Sequence, residues 1–197
     1  LITTYMGVSR PDDVALHQAL PDIVRAGARY RVNDKTELRL FGDFTRWSVL
    51  RTQCVALADY PCKVTKSGDD PGTGGIFLNF RRYWRDTVGV RAGASRWLIP
   101  ELELFVGAGF ETAATPDETL DPELPDSQTL QGALGGRLEL VSRLFVGLSY
   151  THLYYLPRDN TGKSRLSDAE VPTRRPDGGG KYSQWVGVFN ANLEKVF

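Results

Sequence analysis

Cys54 and Cys62 are the only cysteines in the chain, and both fall in a stretch rich in Pro, Gly and Asp. Two thiols so placed either close a small disulfide loop or stay free. With no histidine beside them they do not resemble a zinc site. His17 and His152 are isolated from one another and from any Ser/Asp partner at a recognisable spacing. The acidic run Asp117, Glu118, Asp121, Glu123 and Asp126 offers the hard oxygen ligands that Ca²⁺ takes. It lacks the spacing of an EF-hand loop and reads more simply as a solvated loop. Gly72, Gly74 and Gly75 precede a strand pattern rather than a helix, so no helix N-terminus stands behind them to hold a phosphate. G-x-S-x-G and phosphate-loop motifs are absent. The expectation is a protein that is not an enzyme, with no catalytic, cofactor-binding or metal-binding residues.

The elements that carry these residues are set by composition and period. Twenty-four basic residues balance twenty-four acidic ones over 197 positions. A neutral chain has no basic surface with which to displace counterions, so no nucleic-acid partner is expected. Mean hydropathy is −0.29, and no run of about 18 apolar residues exists to form a transmembrane helix. Strands of a membrane barrel alternate and average to such a value. Twenty glycines and 11% aromatics suit strands and tight turns.

Period two dominates. Over 36–45 one face is Thr36, Leu38, Leu40, Gly42 and Phe44, and the other carries Glu37, Arg39, Phe41, Asp43 and Thr45. Over 102–112 the split is Leu102, Leu104, Val106, Ala108, Phe110 and Thr112 against Glu103, Phe105, Gly107, Gly109 and Glu111. The same division recurs around 24–32, 88–95, 130–140, 144–151 and 181–197. Leu1–Val8 also reads as a strand, which gives about eight. A strand pattern that begins at once, with no leader before it, leads to the expectation that an N-terminal part lies upstream.

A soluble sandwich alternates too, with its charges outward, so three further signals are needed. Connections alternate in length: long at 9–20, 51–76, 113–128 and 156–180, short at 33–35, 96–100 and 141–143. Long loops at one end and short turns at the other is the outer-membrane pattern. It places the C-terminus in the periplasm and every long loop outside the cell, where Cys54 and Cys62 would meet an oxidising space and pair. Aromatics on the apolar face gather at strand ends: Phe44, Trp84, Phe110, Tyr150, Tyr154 and Trp185 towards the outer rim, Tyr30, Trp97 and Phe197 towards the inner. The third signal is the aromatic Phe197 that ends the last strand, which resembles the signal read by barrel-assembly machinery.

Energetics then assign the faces. A basic residue at the lipid midplane costs about 2–4 kcal/mol, so the charges must face the lumen. The lumen-facing candidates are Arg29, Glu37, Arg39, Asp43, Arg91, Glu103, Glu111, Arg137 and Glu139. Their mixed signs allow cross-strand pairing that fills the wall. A sharper role would have Arg29, Arg39, Arg91 and Arg137 guide a ligand carboxylate. Small residues on the same face, Gly89, Gly93, Gly107, Gly109 and Gly147, are expected to leave space inside.

Three segments carry a family resemblance: "LPDIVRAGARYRVNDKTELRLFGDFTRWSVL"; "VGVRAGASRW" with "LELFVGAGFETAATPDETLDPELPDSQTLQGALGGRLEL"; and "LFVGLSYTHLY" with the closing strand. In order and spacing they resemble the C-terminal half of the FadL/TodX family of outer-membrane transporters for long-chain fatty acids and hydrocarbons. The resemblance implies an all-β fold. Residues 1–197 would be one antiparallel segment of a transmembrane β-barrel of fourteen strands, whose N-terminal hatch and first strands are missing. It implies passive transport of a fatty acid or similar hydrophobic molecule, with outer-membrane lipid as surroundings and no cofactor. The competing readings are a complete eight-stranded barrel with a structural or adhesive role and an outer-membrane hydrolase.

Overall fold

The computed structural model describes residues 14–57, 62, 75–168 and 174–196. Among these, ten strands run in chain order: β1 (Val14–Gln18), β2 (Ile23–Asn33), β3 (Thr36–Thr45), β4 (Thr52–Leu57), β5 (Ile76–Arg81), β6 (Thr87–Ile99), β7 (Leu102–Glu111), β8 (Thr129–Val141), β9 (Leu144–Asp159) and β10 (Lys181–Lys195). Seven of them form one antiparallel sheet in the order β2-β3-β6-β7-β8-β9-β10. Strands of 10 to 16 residues match or exceed the 9–11 or so that a tilted strand needs to cross a bilayer. The outermost strands, β2 and β10, are not neighbours, so the wall is an open sheet and not a closed barrel. The eighth strand expected at Leu1–Val8 lies outside the described residues.

Short turns join the wall strands at one end. Asp34–Lys35 links β2 to β3, Pro100–Glu101 links β6 to β7, and Ser142–Arg143 links β8 to β9. Side chains fix two of them. Asn33 Oδ1 accepts from the Lys35 N–H (3.0 Å), and Glu139 Oε1 accepts from the Arg143 N–H (2.8 Å), with Arg143 at φ 63°. All longer connections leave from the opposite end. The alternation in loop length read from the sequence is therefore present in space.

Two of the expected long loops are not plain loops. Residues 9–20 contain β1, and 51–76 contain β4 and the first residue of β5; these three strands make a second sheet in the order β1-β4-β5. The expected strand after residue 76 is also divided. Ile76–Arg81 pairs with β4, and the wall resumes only at Thr87. Ile76, Leu78 and Phe80 alternate as a wall strand would, so period alone could not tell which partner they take.

Burial in the wall is inverted relative to a soluble sheet. On the apolar face Val106 is 60% exposed, Leu134 61% and Phe189 69%. On the opposite face Glu37 is fully buried and Ser95 is 2% exposed. A continuous apolar surface of this kind is stable only when another apolar phase covers it. Among the described residues nothing covers this apolar face.

Candidate functional site

The charged face is built by register. Arg29 lies opposite Arg39, Arg39 opposite Gly93, and Gly93 opposite Gly107. Glu37 sits between the two arginines. It pairs with Arg29 and accepts from Arg39 Nε at 2.7 Å. Arg39 also reaches across β6 to Glu103 on β7, 3.7 Å away. Arg91 bridges Asp43 on one neighbouring strand and Glu111 on the other, the latter at 2.9 Å. Arg137 crosses β9 over Phe145, its guanidinium 3.8 Å from the ring centre, to meet Glu194 at 2.8 Å. Glu139 is spent on the Arg143 turn.

Each of the four candidate arginines thus already holds a protein carboxylate. A ligand carboxylate would have to displace one of these. Arg25 and Arg31 share the face, opposite Asp43 and Glu37. They form no ion pair among the described residues and are the uncommitted cations there. The sequence shows their face but not their lack of partners.

The glycines of this face are not empty space. Asp43 lies over Gly89, the Arg91 stem over Gly109, Asn192 over Gly147 and the Phe105 ring over Gly135; Phe41 leans on Gly27 in the same way. Only at Gly93 and Gly107 would a Cβ meet backbone alone. Small residues here accommodate a neighbour's large side chain across the strand. The expectation that Gly89, Gly109 and Gly147 open the interior is corrected accordingly.

On the apolar face the register stacks Phe110, Leu130, Tyr154 and Trp185 in one row. His152 belongs to this face. Its Nδ1 is 3.0 Å from the Tyr150 hydroxyl, and its ring stacks on Trp185 at 5.7 Å. It is an aromatic partner on the apolar face. Trp84 lies beyond the strand, edge-on against Trp47 at 4.9 Å. Trp97 is a correction: it faces Glu103 across β6–β7 and so shares the charged face, while Arg96 takes the apolar register beside Leu104. Phe197 lies outside the described residues.

The long connections form a polar cap. Cys54 and Cys62 are joined in a disulfide, with Cα atoms 6.2 Å apart, and pack with Ala56 and Ile76. His17 lies opposite Cys54 on β1. Gly75 is in the turn before β5, while Gly72 and Gly74 lie outside the described residues. The acidic loop is not merely solvated, because most of its carboxylates are engaged. Asp117 binds Arg158 and Lys163, at 2.7 and 2.8 Å. Asp121, 4% exposed, faces Arg82 (3.5 Å) and Arg175 (3.4 Å), and Glu123 meets Arg175 at 2.9 Å. Both arginines also lie over the Phe80 ring. Asp126 accepts the N–H groups of Ala114 and Thr115, both at 2.7 Å.

Electrostatics agree with this tying-down. The Lys163 ammonium, with Arg158, holds the Asp117 carboxyl below its ordinary range, and Asp117 raises Lys163 in return. Burial pushes Arg82 down, opposed mainly by Asp121. The N–H of Ser48 lowers Asp86.

No family model and no curated protein matches the chain. Among solved structures it is similar to a FadL homologue of Pseudomonas aeruginosa. The TM-score is 0.66 at 16% identity, covering 89% of this chain and 35% of that one. The chain therefore spans about a third of that protein's length, and the likeness is one of fold: the antiparallel wall described above is the fold of part of a FadL-type barrel.

Proposed function

We propose that this wall belongs to an outer-membrane channel for passive uptake of hydrophobic molecules, long-chain fatty acids or hydrocarbons being the substrate class. The observation that carries the reading is the inverted wall: exposed leucine, valine and phenylalanine on one face and ion-paired charges on the other. The fold likeness to a FadL homologue supports it. Lipid covers the apolar face, the charged face lines the lumen, the short turns and the C-terminus are periplasmic, and the disulfide-closed cap is outside. Barrel-assembly machinery inserts the protein. Arg29, Glu37, Arg39, Asp43, Arg91, Glu103, Glu111 and Arg137 brace the wall, and Glu139 fixes a turn. Because Arg29, Arg39, Arg91 and Arg137 are matched by carboxylates, and Arg25 and Arg31 alone stand unpaired among the described residues of the face, the lining does not act as a single-sign anion filter. Movement is diffusion down a gradient, with no cofactor and no covalent step.

The test is uptake of labelled oleate by cells that lack their own fatty-acid transporter and express the full-length protein. Restored uptake is the expected result. A protein that reaches the outer membrane and restores nothing counts against the reading.

A further inference from the structure

One cavity lies where the membrane reading places lipid headgroups. Phe110, Leu130 and Tyr154 form a row on the apolar face. Two residues further out, Thr112 and Gln128, just beyond the ends of β7 and β8, and Leu156 on β9 line a cavity of about 390 Å³. Arg85, Thr115 and Arg158 complete the polar part of its wall, and no carboxylate lines it. The apolar row thus ends directly at a polar, cationic recess.

Three details indicate what the recess takes. Arg158 is committed to Asp117 and to the carbonyls of Thr115 and Asp126. Arg85 is exposed and has no carboxylate partner among the described residues. Thr115 is fixed at both ends of its peptide, its N–H on Asp126 and its carbonyl on Arg158. Its hydroxyl, in a residue 4% exposed, is buried without a partner. A buried hydroxyl with no partner is destabilising unless something supplies one. An uncommitted guanidinium beside it favours an anionic oxygen.

We infer that this recess binds the phosphate of an outer-leaflet lipid headgroup, with the acyl chains lying on the apolar row below. Arg85 supplies the charge; the Thr115 hydroxyl, closed off from solvent, donates once its side chain turns into the recess. The inference rests on the membrane reading, which supplies the lipid and its level.

The experiment is native mass spectrometry of the full chain, released from detergent after incubation with diphosphoryl lipid A, its dephosphorylated analogue or inorganic phosphate. The expected result is retention of the phosphorylated lipid only. Arg85→Gln should reduce retention about tenfold, and Thr115→Val about threefold, the ranges of a charge-assisted and a neutral hydrogen bond. Arg85→Lys should recover part of the loss, and all variants should keep the wild-type heat-dependent gel mobility. Equal retention by wild type and Arg85→Gln, or of both lipid forms, overturns the site. Inorganic phosphate competing at the same concentration also overturns it, in favour of a free-phosphate site. Insertion into vesicles is measured alongside. Failure of the wild type to insert removes the membrane reading and this inference together. Normal insertion and uptake with unchanged retention removes the inference alone.

Discussion

Asp43 on β3 lies over Gly89 on β6, close enough that a Cβ built at residue 89 would stand 2.8 Å from Asp43 Oδ1. That position lets the carboxylate pair with Arg91, which also holds Glu111 from the far side. One missing side chain therefore permits a three-strand ion-paired bridge. Gly132, on the apolar face, has open space where its Cβ would be.

The two glycines should respond differently to alanine. Gly89→Ala moves Asp43 only by drawing it away from Arg91, so a loss of about 1–3 kcal/mol is expected. Gly132→Ala should change stability little. Urea unfolding in lipid vesicles, followed by tryptophan fluorescence, measures both. Equal effects would remove the bridging role of Gly89.

Leu134 tests which phase covers the apolar face. It is 61% exposed near the middle of β8. In water, arginine at such a site would be nearly neutral. Under lipid, Leu134→Arg should cost about 2–4 kcal/mol, while Gln131→Arg on the opposite face should cost far less. Folding yield in vesicles separates the two. A harmless Leu134→Arg would return the chain to the soluble reading.

The disulfide should act on the cap and not on the wall. Closing so short a loop stabilises by about 2–3 kcal/mol in the chain-entropy account. Cys54→Ser with Cys62→Ser is expected to speed amide exchange across Thr52–Leu57, which pairs with β1 and β5. Exchange in β7 and β8 should stay as it was. Faster exchange in those wall strands would show that cap and wall fold as one unit.

Asp117 gives the cap a pH limit. Its carboxyl is held low by Lys163 and Arg158. A carboxylate with a lowered folded pKa contributes stability that is full above its unfolded value of about 3.9 and disappears as pH falls through the lower folded value. Exchange at Thr115 and Asn160, tied to Arg158 and Asp117, should therefore rise only in acid below about pH 4. Asp117→Asn should raise it at neutral pH and flatten the dependence. An unchanged acid response in Asp117→Asn would assign the limit to another group.

The wall was legible in the sequence because its cause is local. Alternation at period two fixes which side chains share a face, and the cost of a charge in lipid fixes which face is which. That was enough to put Leu38, Leu134 and Phe189 on one side and Glu37, Asp43 and Arg91 on the other. The fates of individual groups were decided between strands. Whether Arg39 meets Glu103 and whether Asn192 fills the place over Gly147 depend on register between strands, whereas Trp97, with the odd parity of Arg91 and Ser95, takes the charged side by period alone. The cap was hidden for the same reason. Ile76, Leu78 and Phe80 carry the wall's own alternation, and only the non-local choice of β4 as partner, with the Cys54–Cys62 bond beside it, takes them out of the wall. Period is a property of one strand and can be read from it. Pairing is a property of two, and only the folded chain supplies the second.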